Sequence, residues 1–328
     1  MKKILGMGNA LTDILLQVDN DEVLFSLNLL KGGMQLINTE RSQEINDAVS
    51  NYSKIMATGG SASNTINGIT RLGMKGGFVG KIGKDDIGLF FTNDSINNGV
   101  VPHLLTSETP SGRCTVLVTP DSERTLCTYL GAACELDASD LKAEMFQGYD
   151  IFHIEGYLVQ NHDLIRTAVS LAKQEGLKVS VDLASYNVVE ENLEFLLEIV
   201  HQYVDIVFAN EEEARAFTGK EPVEALNAIS EHCEIAVVKV GKDGSFIKSG
   251  DKIVQIAPRI ANCIDTTGAG DLYAAGFLFG LASNYSLEVC GKIGSLVSGN
   301  VVEVLGAKMS DDVWETIHAD MKEIVLGR

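Results

Sequence analysis

The chain has no pair of cysteines at metal-ligand or redox spacing. Its six cysteines stand at 114, 127, 134, 233, 263 and 290. None forms a Cys-x-x-Cys pair, so neither a zinc site nor a thiol redox motif is indicated, and reduced thiols of a cytoplasmic protein are expected. No run of residues approaches the ~20 apolar positions of a membrane span. The stretch Leu272 to Ala282 reaches about half that length and reads as a buried core helix. The first residues, Met1 to Met7, have the charge of a signal peptide, but Asn9 and Asp13 interrupt any apolar region after them. Positive charge is scarce: 26 Lys and Arg stand against 45 Asp and Glu, a net charge of −19. That balance argues against nucleic-acid binding, which needs clustered cations, and against docking on anionic lipid. An anionic cofactor would meet an unfavourable field and would have to rely on local N–H groups and a divalent cation. The histidines are scattered without ligand spacing, and the lone tryptophan, Trp314, reads as packing in the last helix.

With 328 residues, 45% of them apolar and 22% charged, the chain can bury a substantial core. From Asp150 onward it alternates regularly. Ile151 to Ile154, Lys178 to Asp182 and Asp205 to Phe208 read as buried strands, with amphipathic helices over Leu164 to Glu175 and Val188 to His201. Such alternation implies a parallel sheet covered on both faces. No linker or composition break appears, so one domain, 1–328, is expected. Lys54 to Thr58 reads as a strand and Thr39 to Tyr52 as a helix with Thr39 as N-cap. Arg113 to Val118 and Arg124 to Tyr129 read as a hairpin around Pro120-Asp121-Ser122-Glu123.

The rest of the chain is organised around Asp265-Thr266-Thr267-Gly268-Ala269-Gly270-Asp271, set between an extended segment and a helical run. Glycines let backbone N–H groups converge, and the helix start adds unpaired donors and the positive end of its dipole. The combination suits an anion, most naturally phosphate. A carboxylate in a phosphate cradle repels the ligand unless its task is to take a proton. Asp271 is therefore either a general base beside a transferring phosphoryl group or an ordinary acid in a first helical turn. A second strand–glycine–helix unit, Gly59-Gly60-Ser61-Ala62-Ser63-Asn64, reads locally as a tight turn with Ser61 as N-cap. Two other glycine clusters exclude common motifs. After Gly6-x-Gly8 the third glycine of a dinucleotide fingerprint is replaced by Leu11, and Lys81 is followed by Ile82 rather than by the Ser or Thr of a P-loop.

The heptapeptide 265–271 resembles the C-terminal motif of the ribokinase-like (PfkB) family of sugar and nucleoside kinases, and 59–64 resembles that family's di-glycine motif. The two are in the family's order, about 200 residues apart. The resemblance runs from Asn9 to Asp271 and implies an α/β three-layer sandwich with a mainly parallel central sheet and a small β-sheet lid, formed by about 12–38 and 107–130. It implies ATP and Mg²⁺, with Gly268, Ala269 and Gly270 as the anion hole for the γ-phosphate and Asp271 as the base for an acceptor hydroxyl. Gly8-Asn9-Ala10-Leu11-Thr12-Asp13 resembles the opening of adenosine-kinase-like members. There the positions of Asn9 and Asp13 hold acceptor hydroxyls, a task that suits a carboxylate because it can accept from two of them. Gly59 and Gly60 would approach the acceptor and hinge the lid, Asn64 would bind a hydroxyl, Arg124 would reach the phosphates as the lid closes, and Tyr157 falls where those members stack a base. Asn210 and Glu213 match the Asn-x-x-Glu element tied to Mg²⁺ and phosphate. Lys239, Gly241, Gly244 and Thr266 fall on the nucleotide side, and residues around 260–264 and 298–306 would wall the adenine.

The expected activity is transfer of the γ-phosphoryl group of Mg-ATP to a hydroxymethyl group of an adenosine-like nucleoside. The alternatives are a sugar kinase, such as a ribokinase, a fructokinase or a 2-keto-3-deoxygluconate kinase, and a non-catalytic metabolite-binding protein on the same fold. A nicotinamide dehydrogenase is weakened by the missing glycine. The expected partner is a small molecule, with no nucleic acid and no membrane, in a monomer or homodimer. A monovalent cation near the anion hole, which some relatives need, is left open.

Overall fold

The computed structural model describes residues 2–121 and 123–327. Ser122, in the turn expected within the hairpin, and Met1, at the start of the segment weighed as a signal peptide, lie outside them, as does Arg328. Two sheets form. The larger has nine strands in the order β14-β13-β12-β11-β10-β9-β1-β5-β6. These are β1 (Lys3–Met7), β5 (Lys75–Gly83), β6 (Val100–Ser107), β9 (Ile151–Glu155), β10 (Lys178–Asp182), β11 (Ile206–Asn210), β12 (Ile235–Lys239), β13 (Ser245–Ser249) and β14 (Lys252–Ile256). From β12 through β6 every pairing is parallel, and β13 alone runs against the others, pairing antiparallel with both β12 and β14. The apolar runs of the central strands follow from this, since both faces are covered. In β11, Ile206 and Phe208 face one core while Val207 and Ala209 face the other.

The second sheet has five strands in the order β3-β8-β7-β2-β4. They are β2 (Leu11–Gln17), β3 (Met34–Leu36), β4 (Lys54–Gly59), β7 (Gly112–Val118) and β8 (Arg124–Tyr129). The expected hairpin is present as the antiparallel pair β7–β8. Beyond the two segments expected for a lid, the sheet also takes β4, which pairs antiparallel with β2 and delivers Gly59 opposite Leu11. A helix over Glu22–Ser26 stands where only turns were expected.

Three local expectations are corrected. Asn38, not Thr39, caps the helix Thr39–Ala48, its side chain accepting from Arg41 N. The expected helix over Val188 to His201 is two, Tyr186–Glu191 and Leu193–Tyr203, because Asn192 turns its side chain back onto Val188 O and interrupts the ladder. Gly60, with φ of +89°, is the N-cap of the helix Ser61–Arg71, which leaves the Ser61 hydroxyl free for another partner. No helix among the described residues is long and apolar enough to cross a membrane.

The sheet carries its polar residues at the carboxyl ends of its strands, where α/β folds bind ligands. Asn9 follows β1, while Glu155, Asp182, Asn210 and Lys239 close β9, β10, β11 and β12. The helix Ala269–Ala282 is buried on nearly every side. It crosses the helix Leu287–Val301 so closely that a Cβ on Gly276 would stand 2.7 Å from Ile293 O. That contact fixes the direction in which its first turn, with Asp271, points into the cleft.

Candidate active site

The turn 265–271 is held from several sides. The Asp265 carboxylate accepts from Thr267 N at 3.0 Å, Thr267 Oγ1 at 2.8 Å and Gly306 N at 2.7 Å. Arg124, reaching over from β8, pairs with Asp265 and donates to Thr267 Oγ1 at 2.8 Å. These bonds hold the Asp265 carboxyl below its usual range despite its burial. Gly268 takes φ of +77° as the N-cap of the helix Ala269–Ala282, a conformation that costs a Cβ-bearing residue about 1 kcal/mol or more. The Ala269 N–H is taken by Thr266 O at 3.1 Å. The N–H groups of Gly268, Gly270 and Asp271 have no acceptor among the described residues, so three donors at a helix start face the cleft.

Asp271 stands in the first turn of that helix. Ser61 Oγ donates to its Oδ1 at 2.7 Å and Asn64 Nδ2 to its Oδ2 at 3.0 Å. Burial pushes its carboxyl up to about 6, against the two hydrogen bonds, with Asp182 raising it further and Lys239 lowering it. The di-glycine segment and the heptapeptide thus meet at one carboxylate. Asn64 holds the Asp271 carboxylate with its amide NH₂, and its own Oδ1 has no partner among the described residues.

On one side of Asp271 lie Asn9 and Asp13. Asn9 donates through both N (2.9 Å) and Nδ2 (2.7 Å) to Glu155 Oε1, while Ala62 N donates to Glu155 Oε2 at 2.9 Å. Glu155 therefore ties β9, β1 and the start of the helix Ser61–Arg71 together. It also explains Gly8, where a Cβ would stand 2.6 Å from the Glu155 carboxyl carbon, while Gly6 makes room for Ile66. Burial pushes Glu155 up to about 7 against those three bonds. The Asp13 carboxylate lies on the open face of Gly59, where a Cβ would stand 2.6 Å from its carboxyl carbon. The Asp13 carboxylate has no hydrogen-bond partner among the described residues and lines the cleft, and burial pushes it up to about 6. Tyr157, half exposed in the turn after β9, lines the same side, its hydroxyl 3.4 Å from Ala184 O.

On the other side lie Lys239, Asp182 and Glu213. Lys239 Nζ donates to Asp182 Oδ2 at 2.8 Å and stands 3.1 Å from the position a Cβ on Gly270 would take. Burial pulls the amine down, but Asp182 and Glu213 outweigh it and leave it raised. Asn210 and Glu213 form a closed capping box, with Asn210 Oδ1 accepting from Glu213 N at 2.9 Å and Glu213 Oε2 from Asn210 N at 2.8 Å. Glu213 is pushed up to about 7 by burial first and then by Asp182. No group of three or more metal-ligating side chains is present among the described residues. This donor set fits Mg²⁺, which keeps several waters and binds few protein oxygens alongside substrate phosphates. Gly241 and Gly244, both at positive φ, line the cleft beyond Lys239, as do Thr266, Ile260, Ser298 and Val302. Asn9, Asp13, Asn64, Tyr157, Asp182, Asn210, Glu213, Lys239 and the segment 266–271 border one cavity of about 1600 Å³, whereas Gly59 and Arg124 are not on its lining; it is larger than the 300–1,000 Å³ usual for a single ligand.

Sequence reasoning missed Asp182 and Glu155. Each is an acid that ends a largely buried strand, a pattern that marks a carboxyl-end site in a parallel sheet.

A family profile described as pfkB family carbohydrate kinase matches residues 31–313. A probable sugar kinase from Rhizobium etli CFN 42 superposes with a TM-score of 0.86 at 34% identity, over 99% of both chains. The adenosine kinase from Sinorhizobium meliloti does so at 0.85 and 34%, over 97% of this chain and 99% of its own. Adenosine kinase 2 of Arabidopsis thaliana is 27% identical over 92% of this chain and 94% of its own.

Proposed function

Because the chain belongs to the pfkB family of sugar and nucleoside kinases, we propose that it transfers the γ-phosphoryl group of ATP to the hydroxymethyl group of an adenosine-like nucleoside, with Asp271 taking the proton. The observation that carries the choice of acceptor is apolar surface left open over the cleft. Met34 and Leu36, on the edge strand β3, are 61% and 66% exposed, and Tyr157 is 43% exposed; all three line the cavity. Burying Met34 and Leu36 against the face of a base would contribute about 1–2 kcal/mol each. A free sugar offers no such face. The similarity to the Sinorhizobium meliloti adenosine kinase supports the same reading.

The chemistry follows from the chain's own groups. Asp271, near pH 6 in its titration, is far too weak to ionise an alcohol, whose pKa lies near the ~15.7 of water. It orients the hydroxyl and accepts the proton as the P–O bond forms. The N–H groups of Gly268, Gly270 and Asp271, with the Lys239 ammonium beside them, meet charge on the equatorial phosphate oxygens. Asp13, Asn9 and the free Oδ1 of Asn64 hold the acceptor's other hydroxyls. Mg²⁺ would neutralise phosphate charge, its waters held by Asn210 and Glu213. Arg124, already at the phosphate end through Asp265, would follow the second sheet as it closes over both ligands.

The test is ADP release from Mg-ATP with adenosine, other nucleosides, ribose, fructose and 2-keto-3-deoxygluconate. A nucleoside is expected to give the highest kcat/KM, and Tyr157→Ala should raise its KM by about tenfold, the loss of one base stack. Turnover with a free sugar alone would move the acceptor to the sugar class. Silence with ATP bound would favour a binding protein.

A further inference from the structure

Lys308 lies outside every motif described above. The loop that carries it is fastened to the anion-hole turn. Val302 O accepts from Ile264 N at 2.7 Å and from Asp265 N at 3.2 Å, and Gly306 N donates to the Asp265 carboxylate. Ala307 then packs on the bare face of Gly268, where a Cβ would stand 2.6 Å from its own. The next side chain, Lys308, leaves from beneath the turn. Its Nζ is enclosed by protein and has no hydrogen-bond partner. An ammonium with three unused donors inside a protein is costly, so its surroundings must compensate.

They do so by charge. The carboxylates whose charge acts on Lys308 are, strongest first, Asp94 of the helix Asp86–Asn97, Asp13 of β2 and Asp271. Two of these carboxylates are committed elsewhere. Asp94 Oδ2 accepts from Thr58 Oγ1 at 2.8 Å and from Thr58 N at 3.3 Å, and Asp271 is held by Ser61 and Asn64. The Asp13 carboxylate alone has no hydrogen-bond partner among the described residues. Its other neighbours are Arg124 and Asp271 and, on β7 opposite it, the Cys114 thiol, which burial keeps neutral.

We propose that Lys308 is a positioning residue, the internal counter-charge that keeps Asp13 ionised while an acceptor covers it. The inference rests on the reading that Asp13 binds acceptor hydroxyls. Covering Asp13 removes its remaining water, and desolvation favours the neutral acid. A protonated Asp13 loses the double acceptor that two vicinal hydroxyls require. A fixed cation below the floor of the cleft opposes this without occupying the space in which the acceptor sits. Burial pulls Lys308 down to about 8, with the three carboxylates holding it up, so it is charged at pH 7.

The test is acceptor binding by calorimetry between pH 5.5 and 8 for the parent, Lys308→Met, Lys308→Arg and Asp13→Asn, using the acceptor that turns over best in the panel above. Losing the opposing charge should raise the Asp13 titration by about one unit. Starting from about 6, that predicts binding about fivefold weaker at pH 6 for Lys308→Met and little changed at pH 8. ATP affinity should not move, and Lys308→Arg should follow the parent. If Lys308→Met does not fold, Lys308→Gln carries the same comparison. Weaker binding by the neutral variant at pH 6 and pH 8 alike would indicate damaged packing and overturn the proposal. So would an unchanged pH profile when Asp13→Asn binds poorly. If Asp13→Asn binds as the parent does, the acceptor-binding reading of Asp13 itself fails.

Discussion

Asp271→Asn should reduce kcat by about 10²–10⁴-fold, the usual contribution of a positioned general base, and leave KM for both substrates within a few-fold of the parent. The surroundings allow so clean a substitution. The amide can turn Oδ1 toward Asn64 Nδ2 and Nδ2 toward Ser61 Oγ, because a hydroxyl can accept as readily as it donates. The fold of the turn is thus kept and only the proton acceptor is removed. In the parent, kcat/KM should fall as pH drops through about 6, where Asp271 takes up its proton. The residual activity of the variant should keep only the part of that limb that Asp13 contributes through acceptor binding. Turnover within tenfold of the parent would remove Asp271 from the role of base.

The same carboxylate costs stability, and the sign can be worked out. Burial raises Asp271 from 3.8 to about 6 in the folded chain, while the unfolded chain titrates near ~3.9. Between those values the native state binds a proton that the unfolded state does not. The unfolding free energy therefore falls as pH rises through about 4 to 6 and stays low above that window. Asp271→Asn carries no charge, so its Tm should exceed that of the parent at pH 8 by a few degrees. The gap should close as pH falls from 6 toward 4. A substitution that raises Tm and abolishes turnover is what a strained catalytic group predicts.

The parts legible in the sequence are those whose chemistry is local. A glycine turn and a helix start within 265–271 announce an anion site because every donor comes from adjacent residues. The parallel sheet was equally legible, since strands covered on both faces must be apolar throughout. What the sequence hid depends on which strands become neighbours. Glu155 meets Asn9 across 146 positions, and Asp182 meets Lys239 across 57. Those meetings follow from the strand orders β9-β1 and β10-β11-β12, which no local pattern states. Ser61 shows the opposite failure. It looked like a helix cap because caps are usually Ser, Thr, Asp or Asn. The positive φ at Gly60 moved the cap back one residue and released the hydroxyl for Asp271.

Lys239→Met should lower kcat/KM for ATP by about 10²–10³-fold, the loss seen when one preorganised donor to a developing charge is removed, without changing acceptor affinity. The ammonium is placed for that task. It stands beside the bare face of Gly270, at the anion hole, and Asp182 and Glu213 keep it protonated against its burial. The obvious objection is that Lys239 only neutralises Asp182, its partner at 2.8 Å. Removing one member of a buried pair strands the other and destabilises by about 3–5 kcal/mol, whereas removing both is often neutral. The double variant Lys239→Met with Asp182→Asn therefore separates the two roles. Its unfolding midpoint should return toward that of the parent while its turnover stays low. Recovery of turnover together with stability would mean that the phosphates never needed the Lys239 charge. Lys239→Arg should regain little, because a planar fork cannot take the place of a compact ammonium held between Asp182 and Gly270.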